Sequence, residues 1–399
     1  MKFAHMADCH LGGWREEKLK QIGLQSFTKA IDVCIEKQVD FVIISGDLFN
    51  TAMPGIAVLS HCVEQLKRLK DKTIPVYVIV GSHDCSASGD TMMDVLEKAG
   101  LVVNVMKLKD KKLQVTIDEK TNVGLTGVFG RRAGLETEDY KSLDFLEVEQ
   151  QTGFNIFLFH TAIEEFKPEN LDAVTCHSYK ELPQNCNYYA GGHVHYLLQK
   201  KVGEKGTLTY PGALYPNNFG ELEEFKMGHF YIVDENVNIE DIWLPIKEVI
   251  TKTISVDGLR PSEAEDMIIE TVKKIDAVDK IVLLRIKGAI TDGRTVDINL
   301  GQIDTILKDA YIVLKHTAKL VVKEEEQELL TVEQTPEAIE KEIITTKVEL
   351  KDKQTIAQTL MEQLVLEKAD GETIAGFDER IIKNAIKSMK IEKLVYDED

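Results

Sequence analysis

Five short and almost continuously apolar runs dominate the first part of the chain and constrain its fold most strongly. They are KFAHMA (2–7), DFVIIS (40–45), VYVIV (76–80), NIFLFH (155–160) and YYAGG (188–192). Helical stretches at 25–37 and 56–69 separate the first three. Strands that are apolar on both faces and alternate with helices are typical of a buried, largely parallel sheet. Residues 101–128 and 206–245 instead have the pattern of short meandering strands. The mixture predicts a two-sheet α/β sandwich over residues 1–245 rather than a simple doubly wound sheet.

A second unit is predicted over residues 246–322. Three strand-like segments, ITKTISVDG, KIVLLRIKG and AYIVLKHTAKLVV, alternate there with helical stretches at 261–275 and 300–307. Pro261 suits the first turn of its helix, where no backbone N–H is needed. This pattern predicts a small α+β domain of the β-α-β-α-β type.

The remaining segment, 323–399, begins with the acidic run Glu324–Glu328 and then predicts two amphipathic helices, at about 335–367 and 378–392. Such helices have little core of their own. They either bind another protein or pack as a hairpin on the chain's own domains.

Length, charge and cysteine content limit the function classes. With 399 residues, the chain exceeds what one hydrophobic core usually supports. It contains no run of about 18 apolar residues, and its first residues, MKFAHMADCH, do not resemble a signal peptide. The six cysteines form no C-x-x-C pair, so free thiols are expected. We therefore expect a cytoplasmic protein with no membrane association.

The net charge of −19 disfavours nucleic-acid binding, which relies on lysine and arginine. However, residues 323–399 contain 20 acidic and only 11 basic residues, nearly half of the acidic excess. Bound divalent cations would also reverse the local field. The basic cluster Lys107, Lys109, Lys111 and Lys112 is compatible with DNA contact or with a solvated hairpin tip.

Histidine and aspartate residues follow the apolar runs in a regular order. The segments are Asp8-Cys9-His10, Gly46-Asp47, Gly81-Ser82-His83-Asp84, His160 and Gly191-Gly192-His193-Val194-His195. In α/β sheets, ligands bind beyond the carboxyl ends of the strands, so these side chains are expected to converge. The other five histidines lack such a context and are interpreted as structural; they are His5, His61, His177, His229 and His316.

The chemistry of these side chains predicts a centre for two divalent metal ions. Carboxylates combined with imidazoles suit Mn²⁺, Fe²⁺ or Zn²⁺ better than Ca²⁺. Asp8 and His10 alternate along an extended strand end and can hold one ion, whereas the two oxygens of Asp47 can bridge both. Two ions about 3.5–4 Å apart can clamp a phosphate, activate a water molecule and stabilise a leaving oxygen.

The order D-x-H, GD, GNHD-like, H and GHxH resembles the calcineurin-like metallophosphoesterases over roughly residues 1–245. More narrowly, MKFAHMADCHLG, DFVIISGDLFN, PVYVIVGSHD and YYAGGHVH resemble the SbcD-type (Mre family) DNA repair nucleases, which suggests an archaeal source. The resemblance implies a four-layer α/β/β/α metallophosphoesterase domain (1–245), a capping, DNA-binding domain (246–322) and a helical tail (323–399).

The resemblance also implies roles for the site residues. One metal would bind Asp8, His10, Asp47 and His195. The second would bind Asp47, His160 and His193, with Ser82 at the position where the family has asparagine. His83 would act on the scissile phosphate or the leaving oxygen, and Asp84 would hold its ring.

Ser82 is the one departure from the family pattern. A serine hydroxyl reaches less far than an asparagine oxygen, so we expect weaker binding of the second ion and a strong dependence on added Mn²⁺. Alternatively, Ser82 is itself a ligand or holds a water molecule that is one.

The implied function is an Mn²⁺-dependent DNA exonuclease and endonuclease in double-strand-break repair. Its implied partners are DNA, an SbcC/Rad-type ABC ATPase bound through the C-terminal helices, and a second copy of the chain. The dimer contact would come from the helices near Leu59, Leu66, Met93 and Leu96, although these residues equally suit a core. Two alternatives stay open: a phosphoesterase for a nucleotide or phosphoprotein, and a largely non-catalytic scaffold for the ATPase.

Overall fold

The computed structural model describes residues 1–86, 91–130, 140, 142–167, 176–204 and 206–323, and the isolated residues 380, 382, 383 and 386. The two predicted tail helices therefore lie outside the described residues, apart from those four positions. Among the helices that the structure does describe, none combines the length and apolar character needed to cross a bilayer.

The described chain contains the following strands and helices. The strands are β1 (Lys2–Met6), β2 (Phe41–Ser45), β3 (Val76–Ile79), β4 (Val103–Asn104), β5 (Lys107–Lys109), β6 (Lys112–Gln114), β7 (Thr116–Ile117), β8 (Gly124–Val128), β9 (Asn155–His160), β10 (Ala162–Ile163), β11 (Cys176–His177), β12 (Tyr188–Gly192), β13 (Leu197–Val202), β14 (Gly206–Pro211), β15 (Gly228–Asp234), β16 (Ile239–Leu244), β17 (Val249–Ser255), β18 (Ile281–Ile290) and β19 (Ile312–Val322). The α-helices are α1 (Glu17–Glu36), α2 (Ile56–Asp71), α3 (Met92–Lys98), α4 (Leu146–Gln150), α5 (Phe219–Phe225), α6 (Pro261–Val272) and α7 (Gly301–Ile306).

Two mixed six-stranded sheets form the centre of the first domain. The first has the order β16-β15-β1-β2-β3-β4, and the second has the order β13-β14-β12-β9-β8-β7. Strands β1 to β4 run parallel to one another, as do β8, β9, β12 and β14. All five apolar runs are strands at the predicted places, and they occupy the interior of the two sheets, where both faces are covered.

Apolar layers on both sides of each sheet complete a four-layer sandwich. Phe3, Phe41, Ile156, Leu158 and Tyr188 belong to the core cluster that lies between the sheets. On its outer face the first sheet packs against α1, α2 and α3, and the second packs against α4 and the residues around it. The fold is thus the two-sheet, four-layer α/β sandwich that the sequence predicts.

Strands β17, β18 and β19 form a third, parallel sheet that is not hydrogen-bonded to the two sheets of the sandwich. Helices α6 and α7 cover it. We call residues 249–322 the C-terminal sheet unit. Its helices begin at Pro261, as predicted, and at Gly301. A separate apolar cluster joins the unit to the sandwich; it contains Leu19, Ile22, Tyr215, Leu222, Val249, Ile281 and Leu283.

The structure departs from the sequence expectations in three places. Helix α1 begins at Glu17 and not at 25, because Leu19 and Ile22 extend its buried face. Helix α5 interrupts the segment predicted as a strand meander; Asn218 caps it by accepting from the backbone N–H of Glu221. Finally, Leu66, Met93 and Leu96 are each no more than 1% exposed, so these three side chains belong to the core and do not offer a dimer contact, whereas Leu59 is half-buried.

Candidate metal centre

The carboxyl ends of five parallel strands meet at one edge of the sandwich and carry the predicted site residues. Asp8 and His10 follow β1, Asp47 follows β2, and Ser82 and His83 follow β3. From the second sheet, His160 is the last residue of β9, and His193 and His195 follow β12. The centre therefore lies between the two sheets, with ligands supplied by both.

Unusual backbone conformations mark this edge. Four of the site residues have positive φ although they are not glycine: Asp8 (49°), His10 (41°), Asp47 (52°) and His193 (85°). Such conformations are costly and concentrate at functional sites, where the surrounding structure maintains them. The adjacent turns also require glycine: a Cβ atom at Gly81 would overlap Asp47, and one at Gly192 would overlap the carbonyl of Ser45. The backbone is thus shaped to bring these side chains together.

The ligand atoms converge, and those of each three-residue group lie within 4.8 Å of one another. The Nε2 atoms of His10 and His195 are 3.1 Å apart. One carboxylate oxygen of Asp47 lies 3.2 Å from Nε2 of His160 and 3.7 Å from Nε2 of His10. An oxygen of Asp8 lies 3.7 Å from Nε2 of His195. Groups of side chains with this spacing, Asp8–His10–His195 and Asp8–Asp47–His160, can each hold a metal ion.

Other protein groups fix the orientation of these ligands. The Nδ1 atom of His160 donates to the carbonyl of Ser45 at 2.7 Å, and that of His195 donates to the carboxylate of Glu221 at 2.8 Å. Both contacts direct Nε2 towards the centre, since the opposite ring nitrogen is occupied. Metal-binding histidines are commonly held in this manner.

The pKa values at the site show how strongly the charges interact. Burial lowers the pKa of His160, but the carboxylates of Asp47 and Asp8 raise it above its ordinary value. Burial likewise lowers the pKa of His195, while the hydrogen bond to Glu221 and the charge of Asp8 raise it to about 9. Burial would raise the pKa of Asp47, yet His160 and His10 hold it well below its ordinary value.

These residues fit a divalent metal centre. Protonated imidazoles balance the negative charge of the carboxylates. A bound cation can supply that positive charge instead, because the imidazoles lose their protons when they bind it. His10 is already suited to be a neutral ligand, because burial lowers its pKa to about 3. Within the described part of the chain, its buried Nδ1 atom has no hydrogen-bond partner, and the buried Nε2 atom of His160 lies 3.2 Å from a carboxylate oxygen of Asp47. Buried imidazole nitrogens beside carboxylate oxygens form the mixed N and O donor set that Mn²⁺, Fe²⁺ and Zn²⁺ accept.

His193 and Ser82 lie at the margin of the cluster. The backbone N–H of His193 donates to Asp8, and its ring contacts that of His160 with centroids 5.2 Å apart. The hydroxyl of Ser82 lies 3.4 Å from Asp47. The ring of His193 is thus on the His160 side of the centre, where the second ion is expected, and Ser82 lies beside the carboxylate proposed to be shared.

One expected contact is absent from the structure: Asp84 does not hold the ring of His83. Its buried carboxylate instead accepts from the backbone N–H groups of Leu48, Phe49 and Gly81, at 2.9–3.2 Å. The His83 ring is exposed and its Nδ1 donates to the carbonyl of Asn50 at 2.9 Å. A buried carboxylate must accept hydrogen bonds, and three backbone N–H groups supply them to Asp84. Its carboxylate therefore binds these groups and not the ring of His83. Asp84 therefore fixes the turns after β2 and β3.

Sequence reasoning did not identify the partners that orient the histidine rings of the site. Glu221 lies 26 residues after His195 on a short helix, and Ser45 and Asn50 act through backbone carbonyls. A carbonyl carries no sequence signal. For Glu221, the Asn218-x-x-Glu221 spacing indicates only a helix start.

The fold and the cluster together define a metal-dependent phosphoesterase. Residues 1–197 match the family model of the calcineurin-like phosphoesterases, so this part of the chain is a calcineurin-like phosphoesterase domain.

Relatives with more specific names match a longer part of the chain. The DNA double-strand break repair protein Mre11 of Methanococcus maripaludis is 30% identical over 241 residues, which is 59% of this chain and 63% of that protein. Its counterpart from Archaeoglobus fulgidus is 28% identical over 315 residues, 70% of each chain. The match to the Methanococcus protein thus spans less than two thirds of its length. Among solved structures, a dimetal phosphatase from Danio rerio superimposes with a TM-score of 0.42 at 10% identity, covering 61% of this chain and 98% of that one.

Proposed function

We propose that this protein is a DNA nuclease that hydrolyses phosphodiester bonds with two divalent ions, most effectively Mn²⁺. The observation that carries the proposal is the position of Asp47. One of its carboxylate oxygens lies 3.7 Å from Nε2 of His10, a ligand proposed for the first ion, and 3.2 Å from Nε2 of His160, a ligand proposed for the second. A carboxylate placed between two sets of ligands is suited to bridge two ions.

The two proposed metal sites share Asp47 and divide the other ligands between them. One ion would be bound by Asp8, His10, Asp47 and His195. The other would be bound by Asp47, His160 and His193, with Ser82 or a water molecule that it holds completing the set. When bound, the ions would polarise the phosphate and activate the attacking water.

His83 would act on the leaving group. Its ring is exposed at the centre, and the centroid lies 4.7 Å from that of His10. Because a carbonyl oxygen only accepts hydrogen bonds, the contact with Asn50 keeps the proton on Nδ1 and leaves Nε2 to face the substrate. From there the protonated ring can donate to the departing 3′ oxygen.

DNA as the substrate and double-strand-break repair as the role rest on the relatives. Both archaeal relatives described above are named as DNA double-strand break repair proteins. The exposed β5–β6 hairpin, with Lys107, Lys109 and Lys112, offers a basic surface for the phosphate backbone. We propose the C-terminal sheet unit as the capping, DNA-binding domain.

Comparing substrates tests the proposed activity. Full-length protein with Mn²⁺ would be incubated with linear double-stranded DNA, single-stranded DNA and a generic phosphate ester, alongside His83→Ala. The control variant is His61→Gln, whose ring contacts Thr28 and Leu24 on helix α1. We expect DNA cleavage that His83→Ala loses and His61→Gln retains. Hydrolysis of the ester alone would assign the centre to a different substrate, and inactivity on all three substrates would indicate a scaffold.

An ABC-type ATPase and a second copy of the chain are the proposed protein partners. We propose that residues 323–399 bind the ATPase, because a separate acidic segment follows the last strand of the sheet unit. Pull-down of the ATPase with the full chain and with a chain ending at residue 322 tests this. Equal capture by both would contradict the proposal. Sedimentation of the full chain measures its oligomeric state independently.

A further inference from the structure

Helix α5 lies between the metal centre and the C-terminal sheet unit and contacts both. On its buried side, Leu222 packs in the cluster that also contains Val249, Ile281 and Leu283 of the sheet unit. On its polar side, Glu221 faces the metal centre and Glu223 faces β18. Two acidic side chains of one short helix thus contact two separate parts of the protein.

Towards the centre, Glu221 is bound to more than the ring that it orients. One carboxylate oxygen accepts from Nδ1 of His195 at 2.8 Å and from the side chain of Asn218. The other accepts from the backbone N–H of Asn217 at 2.8 Å, and the Asn217 side chain donates to that of Asn50. Since both oxygens are engaged and only 17% of the side chain is exposed, the carboxylate has a single well-defined position.

Towards the sheet unit, Arg285 holds the same helix. Its Nε and Nη2 atoms donate to the carboxylate of Glu223 at 2.6–3.1 Å, a two-pronged ion pair with both side chains about one quarter exposed. The guanidinium also lies over the ring of Phe219, 5.1 Å from its centroid, and next to His316. A planar guanidinium that is paired and stacked in this way fixes direction as well as distance.

We propose that Glu221 is a positioning residue for the metal ligand His195, and that Arg285 of the C-terminal sheet unit holds Glu221 in place through Glu223 and helix α5. The inference rests on the proposed metal centre but not on the nature of the substrate. With Nδ1 bound to Glu221, the His195 ring presents Nε2 to the centre, 3.1 Å from that of His10. Any shift of the sheet unit that moves α5 would move the carboxylate and change the ring's orientation.

Mn²⁺ binding to the full-length protein, followed by isothermal titration calorimetry, tests the role of Glu221 without any nuclease assay. We expect Glu221→Ala to weaken the site that includes His195 by about 10- to 100-fold, the range for losing such a supporting carboxylate. Glu221→Gln should recover part of the loss, since an amide oxygen still accepts from Nδ1. Glu224→Ala, an exposed glutamate on the same helix, is the matched control and should bind Mn²⁺ as the unchanged protein does.

A double-variant comparison separates positioning from general damage to the fold. In a His195→Ala background, Glu221→Ala should cause no further loss of Mn²⁺ affinity, because Glu221 acts through that ring. The proposed role would be overturned if Glu221→Ala weakened Mn²⁺ binding as much in this background as in the unchanged protein. Full Mn²⁺ affinity in Glu221→Ala alone would also overturn it.

The contribution of the sheet unit is tested at Arg285. We expect Arg285→Gln to weaken the same Mn²⁺ site by about 2- to 30-fold, the usual range for coupling through an intermediate element. Glu223→Gln should have a similar effect, and combining the two should add little because they form one ion pair. Lys287→Gln, on the same strand and exposed, is the control. Unchanged affinity in both Arg285→Gln and Glu223→Gln would refute the coupling. If the unchanged protein binds no Mn²⁺, the proposed metal centre itself fails.

Discussion

The Nδ1 atom of His83 lies 2.9 Å from the carbonyl oxygen of Asn50, whereas the neighbouring carboxylate of Asp84 accepts from the backbone N–H groups of three other residues. The ring is therefore held by the loop after β2, and its free edge faces the centre beside His10. This arrangement supports the proposal that His83 acts on the substrate, because its ring is oriented separately from the proposed metal ligands.

Replacing His83 with alanine should lower cleavage far more than metal binding. Loss of a proton donor costs about 10²- to 10⁴-fold in rate. Mn²⁺ affinity should stay within about twofold, because the ring is exposed and Asp8, His10, Asp47 and His195 are retained. Single-turnover cleavage and calorimetry on the same preparation measure the two effects. A parallel loss of Mn²⁺ affinity would identify His83 as a ligand, which its closeness to His10 and Asp47 also permits.

Lengthening the side chain at position 82 should tighten the weaker metal site. The Ser82 hydroxyl is 3.4 Å from Asp47, and an asparagine oxygen at this position reaches further into the centre. We expect Ser82→Asn to increase affinity at the second site by about tenfold, an effect of the size that single changes at metal sites produce. Ser82→Ala is the comparison. If Ser82→Ala weakens that site strongly and Ser82→Asn does not improve it, serine is already an effective ligand.

Binding of Mn²⁺ should release protons at neutral pH. The pKa of His195 is raised to about 9, and that of His160 lies above its ordinary value. Both rings are consequently protonated at pH 7.5 and must become neutral to bind a metal. Affinity should therefore rise as the pH increases from 7 towards 9.

Calorimetry in two buffers with different heats of ionisation counts the released protons. His195→Ala should release about one fewer than the unchanged protein. A binding heat that does not depend on the buffer would contradict the expected release.

The convergence of the proposed metal ligands could be predicted from the sequence because each lies at or just after the end of an apolar strand. The ends of parallel strands meet by geometry, so Asp8, Asp47 and His160 come together once the strands are identified. The same reasoning does not predict contacts whose partners are set by the conformation of the turns between strands. Asp84 adjoins His83 in the sequence, but the turn directs its carboxylate towards buried backbone donors.

The fold shows the same division between strands and connections. The buried strands were predicted to within a residue or two, since an apolar run covered on both faces has one dominant interpretation. Helix α5 was missed because its seven residues form fewer than two full turns around one buried side chain, Leu222. Glu221 was missed with it, although it contributes to the geometry of the centre.

Stability should fall on acidification through His5, which lies beneath the centre. This ring is fully buried, and its two nitrogens contact the hydroxyls of Tyr188 and Ser45 at 2.9 and 3.1 Å. Burial lowers its pKa from 6.5 to about 3. Between these two values the unfolded chain binds a proton that the folded chain does not. The contribution of neutral His5 to the free energy of unfolding is therefore complete above pH 6.5. Below that pH it falls by about 1.4 kcal/mol per pH unit.

The variant His5→Gln removes the group that takes up this proton on unfolding, and it keeps polar atoms near Tyr188 and Ser45. The free energy of unfolding, measured with urea at pH 7.5, 6.0 and 5.0 in the presence of a chelator, should fall less steeply with acidification in the variant. Subtracting the two curves removes the effects of the other histidines, which both proteins share. Thr126→Val is the control: it alters a buried side chain that does not titrate, so it should change stability by the same amount at each pH. Parallel curves for His5→Gln and the unchanged protein would mean that His5 takes up no proton on unfolding in this range.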